Sequence, residues 1–434
     1  MSGSLLGLAL LALGGCATYS ALPLPDHSSL GASVAATGVP PLDMDAVATL
    51  AVLNNPDLKA ARAASGVAQA QAFAAGLLPD PQFSYSAEHP LDHVISPADP
   101  RYPEYNAYGL GLSLDLQTLL THSSNRAAAS AAYRQARLDL LWQEWQTVAQ
   151  ARTLYVQQAV AEQRHAFLER AEQIYALAAA RSQRAQAAGN ATLADTSADE
   201  AVLLDVRTQL GTAGRSGLQA RQALRTLLGV GPDVTLQLQP LSAPPIPART
   251  AVQTAVAHLT QKRPDLRALQ AGYGAQEARL RAAVLSQFPD ISLGVTRARD
   301  VSNVHTIGAS VSLTLPLFNR GRGQIAIERT TRAQLRSEYQ ARLDHAVGDV
   351  WQLWSELQQL DGQLHRVDQQ LPRLQNNVEA ATRAYQAGDF PAASYLALVG
   401  SYLAAREARA DLMQNLWTDS IALATVLGTQ VQPS

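Results

Sequence analysis

A single cysteine, Cys16, in 434 residues leaves no room for a disulfide framework or a cysteine-rich metal site. Charge is also scarce, at 16% of the chain with aromatics at 6%, where soluble proteins average about 25% charged residues. Lys+Arg (34) and Asp+Glu (36) nearly balance at a net charge of −2, so no excess of positive charge points to nucleic acid. No uninterrupted apolar run reaches the ~18 residues that a membrane-spanning helix needs. A polytopic helical membrane protein is therefore excluded. What fills the chain instead is Ala, Leu, Gln and Arg in long stretches, the composition of extended helix rather than of a compact α/β enzyme.

The N-terminus reads as an address. Leu5–Leu13 is apolar but for Gly7, and Gly14-Gly15-Cys16-Ala17 follows. That length suits a signal-peptide core and is too short to cross a bilayer. Small residues before a lone cysteine resemble a lipoprotein lipobox, which makes Cys16 the expected acylated residue, although no Lys or Arg precedes it. Residues 1–15 are thus expected as a signal peptide and 16–42, with Pro23, Pro25, Pro40 and Pro41, as a lipidated extended tether.

The rest of the chain is a duplication. Asn55-Pro56-Asp57-Leu58 aligns with Arg263-Pro264-Asp265-Leu266, and Pro81-Gln82-Phe83-Ser84 with Pro289-Asp290-Ile291-Ser292, both at one offset. After a single length difference between residues 84 and 108, a second offset takes over. It pairs Tyr108-Gly109 with Ile307-Gly308, Ala188-Gly189-Asn190 with Ala387-Gly388-Asp389, and Leu228-Gly229 with Leu427-Gly428. Ordered matches of this kind define two structural repeats, expected at 43–235 and 250–428. A Pro-rich linker at 236–249 joins them, and 429–434 is left as a tail.

Each repeat is expected to run helix, strand pair, long helix, tight turn, long helix. The first helices should start near Asp43 and Thr250 and end near the prolines that open the strands. Tyr108, Leu110, Leu112, Leu114 and Leu116 alternate with Gly109, Gly111, Ser113 and Asp115; Ile307 to Leu315 repeats the pattern around Gly308, Ser310 and Ser312. Alternation over about ten residues suits a tilted strand crossing a bilayer. In the second repeat, apolar residues from Val350 through Leu364 and Leu371 to Tyr385 recur at alternating spacings of three and four. Such a heptad seam predicts a helix supercoiled on a neighbour, locally kinked at Pro372. Gly189-Asn190 and Gly388-Asp389 should turn the chain, the glycine ending one helix and Asn or Asp helping to start the next.

Four membrane strands cannot close into a barrel, because transmembrane barrels begin at eight. In lipid, each unpaired edge group costs several kcal/mol, so copies must associate. Two chains would give eight strands and three would give twelve; the small inward residues Gly109, Gly111, Ser113, Gly308, Ser310 and Ser312 favour a barrel wide enough to keep a lumen.

On these motifs, spanning residues 43–428, the chain resembles the TolC family of outer-membrane efflux channels. The stretches Asp290–Gly294 and Thr314–Arg320 are similar to its heavy-metal branch. The resemblance implies a mainly α fold with a small β part: duplicated helical hairpins in a coiled-coil α-barrel, plus four transmembrane β-strands per chain in a twelve-stranded trimeric β-barrel. It implies a passive export conduit in the outer membrane, lipid-anchored and extending into the periplasm. Its partners would be its own copies, outer-membrane lipid, a periplasmic adaptor (membrane fusion) protein and an inner-membrane RND transporter. No catalysis, cofactor, metal or nucleic acid belongs to it. By the same resemblance Asp195 becomes a candidate for the periplasmic gate, with only uncharged Ser394 and Ala397 at the matching places of the second hairpin. Arg184, Gly189, Asn190, Arg383, Gly388 and Asp389 become the adaptor footprint at the hairpin tips.

Little else carries chemistry. Glu88-His89 and Asp92-His93 read as loop polarity between strands. Arg320-Gly321-Arg322-Gly323 lacks the spacing and lysine of a phosphate loop and reads as a strand-to-helix turn. The competing function is a periplasmic coiled-coil lipoprotein acting as a scaffold, its strands packed in a soluble domain.

Overall fold

The computed structural model describes residues 19–28, 30–31, 41–89 and 105–429. Cys16, the signal segment and the Asp92-His93 pair lie outside the described residues. The first repeat contains α1 (Met44–Asn54), α2 (Pro56–Ala74), β1 (Gln82–Glu88), β2 (Ala107–Asp115), α3 (Leu116–Ala187) and α4 (Leu193–Leu227). The second contains α5 (Arg249–Ala257), α6 (Leu259–Lys262), α7 (Pro264–Leu285), β3 (Asp290–Arg299), β4 (His305–Thr314), α8 (Arg322–Ala387) and α9 (Ala392–Leu427). At 1.5 Å per residue, α3 with 72 residues and α8 with 66 are about 108 Å and about 99 Å long.

The single helix expected at the head of each repeat is broken at the aligned prolines, and in the second repeat once more at His258. Asn55 and Arg263 adopt extended conformations, with ψ of 125° and 121°, because the ring that follows them disfavours helix. Pro56 and Pro264 then open new helices at the first position, where the missing N–H costs nothing.

Both pre-proline residues reach back to the end of their own repeat. Asn55 Nδ2 donates to the Leu227 carbonyl at 3.0 Å, and Arg263 Nη1 donates to the Val426 carbonyl at 3.2 Å. Beside these bonds Gly229, at φ 63°, packs on the Asn54 carbonyl, and Gly428, at φ 66°, packs on the Lys262 backbone. A Cβ at Gly229 would stand 2.7 Å from that oxygen. The repeated motifs at the two ends of each sequence repeat are thus the two halves of one contact, made twice.

The second copy of the contact carries a buried ion pair. Arg263 meets Asp265 side by side, Nε to Oδ1 at 2.9 Å and Nη2 to Oδ2 at 2.7 Å, with 5% and 7% of the side chains exposed. Its guanidinium also lies over Trp142 of α3 at 5.2 Å. The largest core cluster surrounds this region, with Val156, Leu266, Val350, Leu357, Leu416 and Trp417 buried between α3, α7, α8 and α9.

The heptad seam of α8 is strongest there. Val350, Leu357 and Leu364 are 0%, 1% and 4% exposed, whereas Leu371 and Leu374 are half-buried on either side of an exposed Pro372. The helix continues unbroken through that proline.

The inter-repeat segment is strapped down rather than loose. Tyr155 Oη, Trp417 Nε1 and Trp354 Nε1 donate to the carbonyls of Gln239, Ser242 and Pro247 at 2.8, 2.7 and 3.0 Å. Burial pushes the Tyr155 phenol up to about 12, so this donor keeps its proton across the physiological range. The described part of the N-terminal segment is extended and pinned beside it, by bridges from Gly31 to Val230 and from Leu42 to Leu238.

Asp265→Ala leaves the Arg263 charge buried without its partner, which should cost about 3–5 kcal/mol. Thermal unfolding in detergent should show a lower midpoint for this variant than for Asp57→Ala, the exposed counterpart in the first repeat.

Candidate functional site

The four strands form one antiparallel sheet in the order β1-β2-β3-β4. Both repeats contribute a hairpin, and the sheet joins them through β2 and β3, where Leu112 pairs with Val295 and Gly111 with Thr296. Because paired residues share a face, the register lines up two unlike surfaces.

On one face lie Phe83, Leu112, Val295 and Ala309 in one row, and Tyr85, Leu110, Arg297 and Ile307 in the next. The apolar members are uncovered: Phe83 is 69% exposed, Ile307 80% and Val311 69%. The opposite face is small and polar, built from rows such as Ser84, Gly111, Thr296 and Gly308. Serines fold over the glycines beside them, so that a Cβ at Gly111 would meet Ser84 Oγ at 2.5 Å and one at Gly294 would meet Ser310 Oγ at 2.6 Å. Bulk is thereby kept off that face.

Strand β2 ends one residue earlier than the alternation predicts. Asp115 accepts from the amides of Gln117 and Thr118, at 2.8 and 3.4 Å, and so starts α3 at Leu116. In the second repeat Gly321, at φ 65°, opens α8, so the Arg320–Gly323 segment is a strand-to-helix turn. Among the described residues β1 and β4 each have a partner on one side only. An amphipathic sheet with two open edges therefore stands at one end of the helices.

The helical hairpins turn at the opposite ends of α3 and α8. Gly189 at φ 76° and Gly388 at φ 85° occupy the left-handed conformation that closes each helix. The next amides, of Asn190 and Asp389, donate back to Ala185 and Ala384 at 2.8 and 2.9 Å. Arg184, Gly189, Asn190, Arg383, Gly388 and Asp389 are all exposed at the two tips.

The return helices start differently from the sequence expectation. Neither Asn190 nor Asp389 caps a helix. The cap of α4 is Thr192, whose Oγ1 accepts from the Asp195 amide at 3.2 Å, while the Asp195 carboxylate accepts from the Thr192 amide at 3.1 Å and its hydroxyl at 2.6 Å. This reciprocal box satisfies two of the free amides at the helix start. The other return helix, α9, begins after Pro391 with no side-chain cap. The glycine turns place the caps two residues beyond the positions that a tight Gly-Asn junction suggests.

Three residues outside the sequence reading tie the hairpins together. The Tyr385 and Tyr395 rings stack at 4.7 Å and 15°, with Arg181 over Tyr385 at 5.2 Å. Tyr175 Oη donates to the Leu396 carbonyl at 3.1 Å, and burial raises its pKa. The first and second repeats thus meet through Tyr175, Arg181 and Tyr395 a few turns from the tips. The available signal was the pair of tyrosines flanking the Gly388 turn.

This architecture has relatives. The profile of the family described as outer membrane efflux protein matches residues 47–230 and 255–429. The pyoverdine export outer membrane protein OpmQ of Pseudomonas aeruginosa is 27% identical over 438 residues, covering 94% of this chain and 90% of OpmQ. The multidrug resistance outer membrane protein MdtP of Escherichia coli K12 is 25% identical over 300 residues, which cover 67% of this chain and 61% of MdtP. Among solved structures, the outer-membrane channel OprN superposes with a TM-score of 0.74 at 18% identity, covering 96% of this chain and all of OprN. CusC gives 0.73 at 21% identity, covering 89% and 92%. At those identities the structural likeness carries the fold, mainly helical with a small sheet, and not the cargo.

The capping box gives Asp195 a defined pH response. Hydrogen bonds from the Thr192 hydroxyl and amide hold its carboxyl below the ordinary 3.8. A carboxylate favoured in the folded state contributes fully above that ordinary value and is lost as pH falls through the lowered one. Amide exchange in the first turn of α4 should therefore show unchanged protection between pH 7 and 5, with fraying only below 3.8. Asp195→Ala should fray the same amides at pH 7.

Proposed function

Since the chain belongs to the outer membrane efflux protein family, we propose that it works as a trimeric outer-membrane export conduit. The observation that carries this reading is the sheet with one uncovered apolar face, one small polar face and two open edges. Lipid accepts the apolar face but not the edges, whose amides and carbonyls would each cost several kcal/mol unpaired. Joining β1 of one copy to β4 of the next removes every edge. Three copies give twelve strands, and the glycine-serine faces then surround a lumen that side chains do not fill.

Strands of seven to ten residues have about the length needed for a tilted crossing. Below the sheet, helices of about 100 Å continue the passage through the periplasm as a coiled-coil tube. Cys16, acylated, anchors each copy to the membrane. Arg184, Gly189, Asn190, Arg383, Gly388 and Asp389 form the surface on which a periplasmic adaptor sits, linking the conduit to an inner-membrane RND transporter that supplies the cargo. Neither OpmQ nor MdtP is named for metal ions, so these relatives lend no support to the heavy-metal branch.

Asp195 would place three carboxylates around the periplasmic entrance. Because Thr192 holds its Oδ2 through both amide and hydroxyl, the carboxylate stays ionised and fixed in direction, with Oδ1 left for a cation, as a weak cation-selective ring requires.

Full-length protein purified in detergent should have the mass of a trimer and give discrete currents across planar bilayers. Asp195→Ala should lower the preference for cations over anions. A folded monomer or dimer without conductance would instead identify the scaffold protein. Unchanged selectivity in the variant would remove Asp195 from the gate.

A further inference from the structure

The apolar face of the sheet is not uniformly apolar. Register places Tyr85, Leu110, Arg297 and Ile307 in one row, and Ala87, Tyr108, Arg299 and His305 in the row beyond it. These two rows lie at the hairpin end of the sheet, away from the end where the helices leave. All other rows of that face, from Ile291 to Val295 and their partners, carry hydrocarbon or aromatic side chains. Every ionisable strand residue on the face other than tyrosine is thus a base, and all sit at one rim. Glu88 pairs with Ala107 and so belongs to the opposite face.

The rim is built rather than incidental. Arg299 lies over the rings of Tyr105 and Tyr108, at 5.7 and 5.2 Å, and its Nη2 donates to the Asn106 carbonyl at 2.8 Å. Its orientation is therefore set before any ligand arrives. Arg297, one row nearer the apolar belt, is exposed and has no ion-pair partner among the described residues. The nearest acid in sequence, Asp300, is occupied by the turn it forms, accepting from the amides of Ser302 and Val304, both at 2.9 Å. Two residues apart on one strand, the two arginines stand about 7 Å apart at the backbone, close enough for both guanidinium groups to converge on one phosphate.

We propose that this rim binds the phosphate groups of anionic lipids in the outer leaflet. The arginine stems lie along the apolar belt while their heads reach the headgroup level, and tyrosines beside them suit the same depth. Charge complementarity selects the occupant, since a headgroup without net negative charge leaves uncompensated the two guanidinium groups, neither of which has a carboxylate partner among the described residues. The inference rests on the membrane-spanning reading of the sheet.

The test uses full-length protein in detergent, with phosphatidic acid or phosphatidylcholine of the same acyl chains added and retained lipid read by native mass spectrometry. The wild type should retain phosphatidic acid preferentially. Arg297→Gln with Arg299→Gln should weaken that retention by about tenfold for each charge-assisted hydrogen bond lost. Arg297→Gln alone, at an exposed site, should weaken it in part without disturbing the fold. Equal retention of the two lipids by the wild type would overturn the proposal. Displacement of phosphatidic acid by millimolar inorganic phosphate would overturn the lipid as the source and leave a simple anion site. Failure of the protein to enter vesicles of either composition would instead defeat the membrane reading itself.

Discussion

The unpaired backbone edge of a β-strand is the constraint on which the assembly depends. In water an edge amide is satisfied by solvent, and in lipid nothing replaces that solvent. The four strands among the described residues cannot remove their own edges. The proposed association of copies would thus originate in the backbone, before any side chain is considered. The side chains then decide which environment a closed sheet would suit, with Phe83, Ile307 and Val311 on one face and the glycine-serine rows on the other.

The helices hold the two hairpins of that sheet in register. Each repeat closes on itself by one device, a pre-proline side chain bonded to the last carbonyls of the returning helix and a left-handed glycine packed against the residue before it. The second repeat adds the Arg263–Asp265 pair, buried under Trp142 of the first repeat, which fixes one half of the chain against the other. Far from this point, Arg181 over Tyr385 and Tyr175 bonded to the Leu396 carbonyl join the hairpins again. Between these two points of attachment Phe167, Leu168 and Ala213 are also buried, so the hairpins stay packed along their length.

Much of this was legible in the sequence, and the parts that were not have physical reasons. Strict alternation from Tyr108 to Leu114 gave strand and faces together, because a buried or lipid-facing strand has a period of two. Heptad spacing found the α8 seam, although it could not tell that burial fades near Leu371. Pro56 and Pro264 were visible as repeat markers but not as helix starts, since a proline is compatible with the end of one helix and the first turn of another. Asp115 ended β2 by capping α3, a local competition that alternation does not register. Asp195 was singled out for its place after Gly189, whereas its partnership with Thr192 depended on where the turn let α4 begin. Tyr175 and Arg181 were not legible because their contacts cross between repeats, and Tyr395 because its stack on Tyr385 spans the turn; no periodicity within one helix encodes either meeting.

The closed barrel is the claim from which trimer, conduit and lipid contact all follow. Amide hydrogen exchange of β1 and β4 in the full-length detergent-purified protein tests it most directly. If neighbouring copies pair these strands, their amides should be protected as strongly as those of β2 and β3. If every second amide of β1 and β4 exchanges as fast as in an unpaired edge while β2 and β3 stay protected, the sheet is open and the account is contradicted.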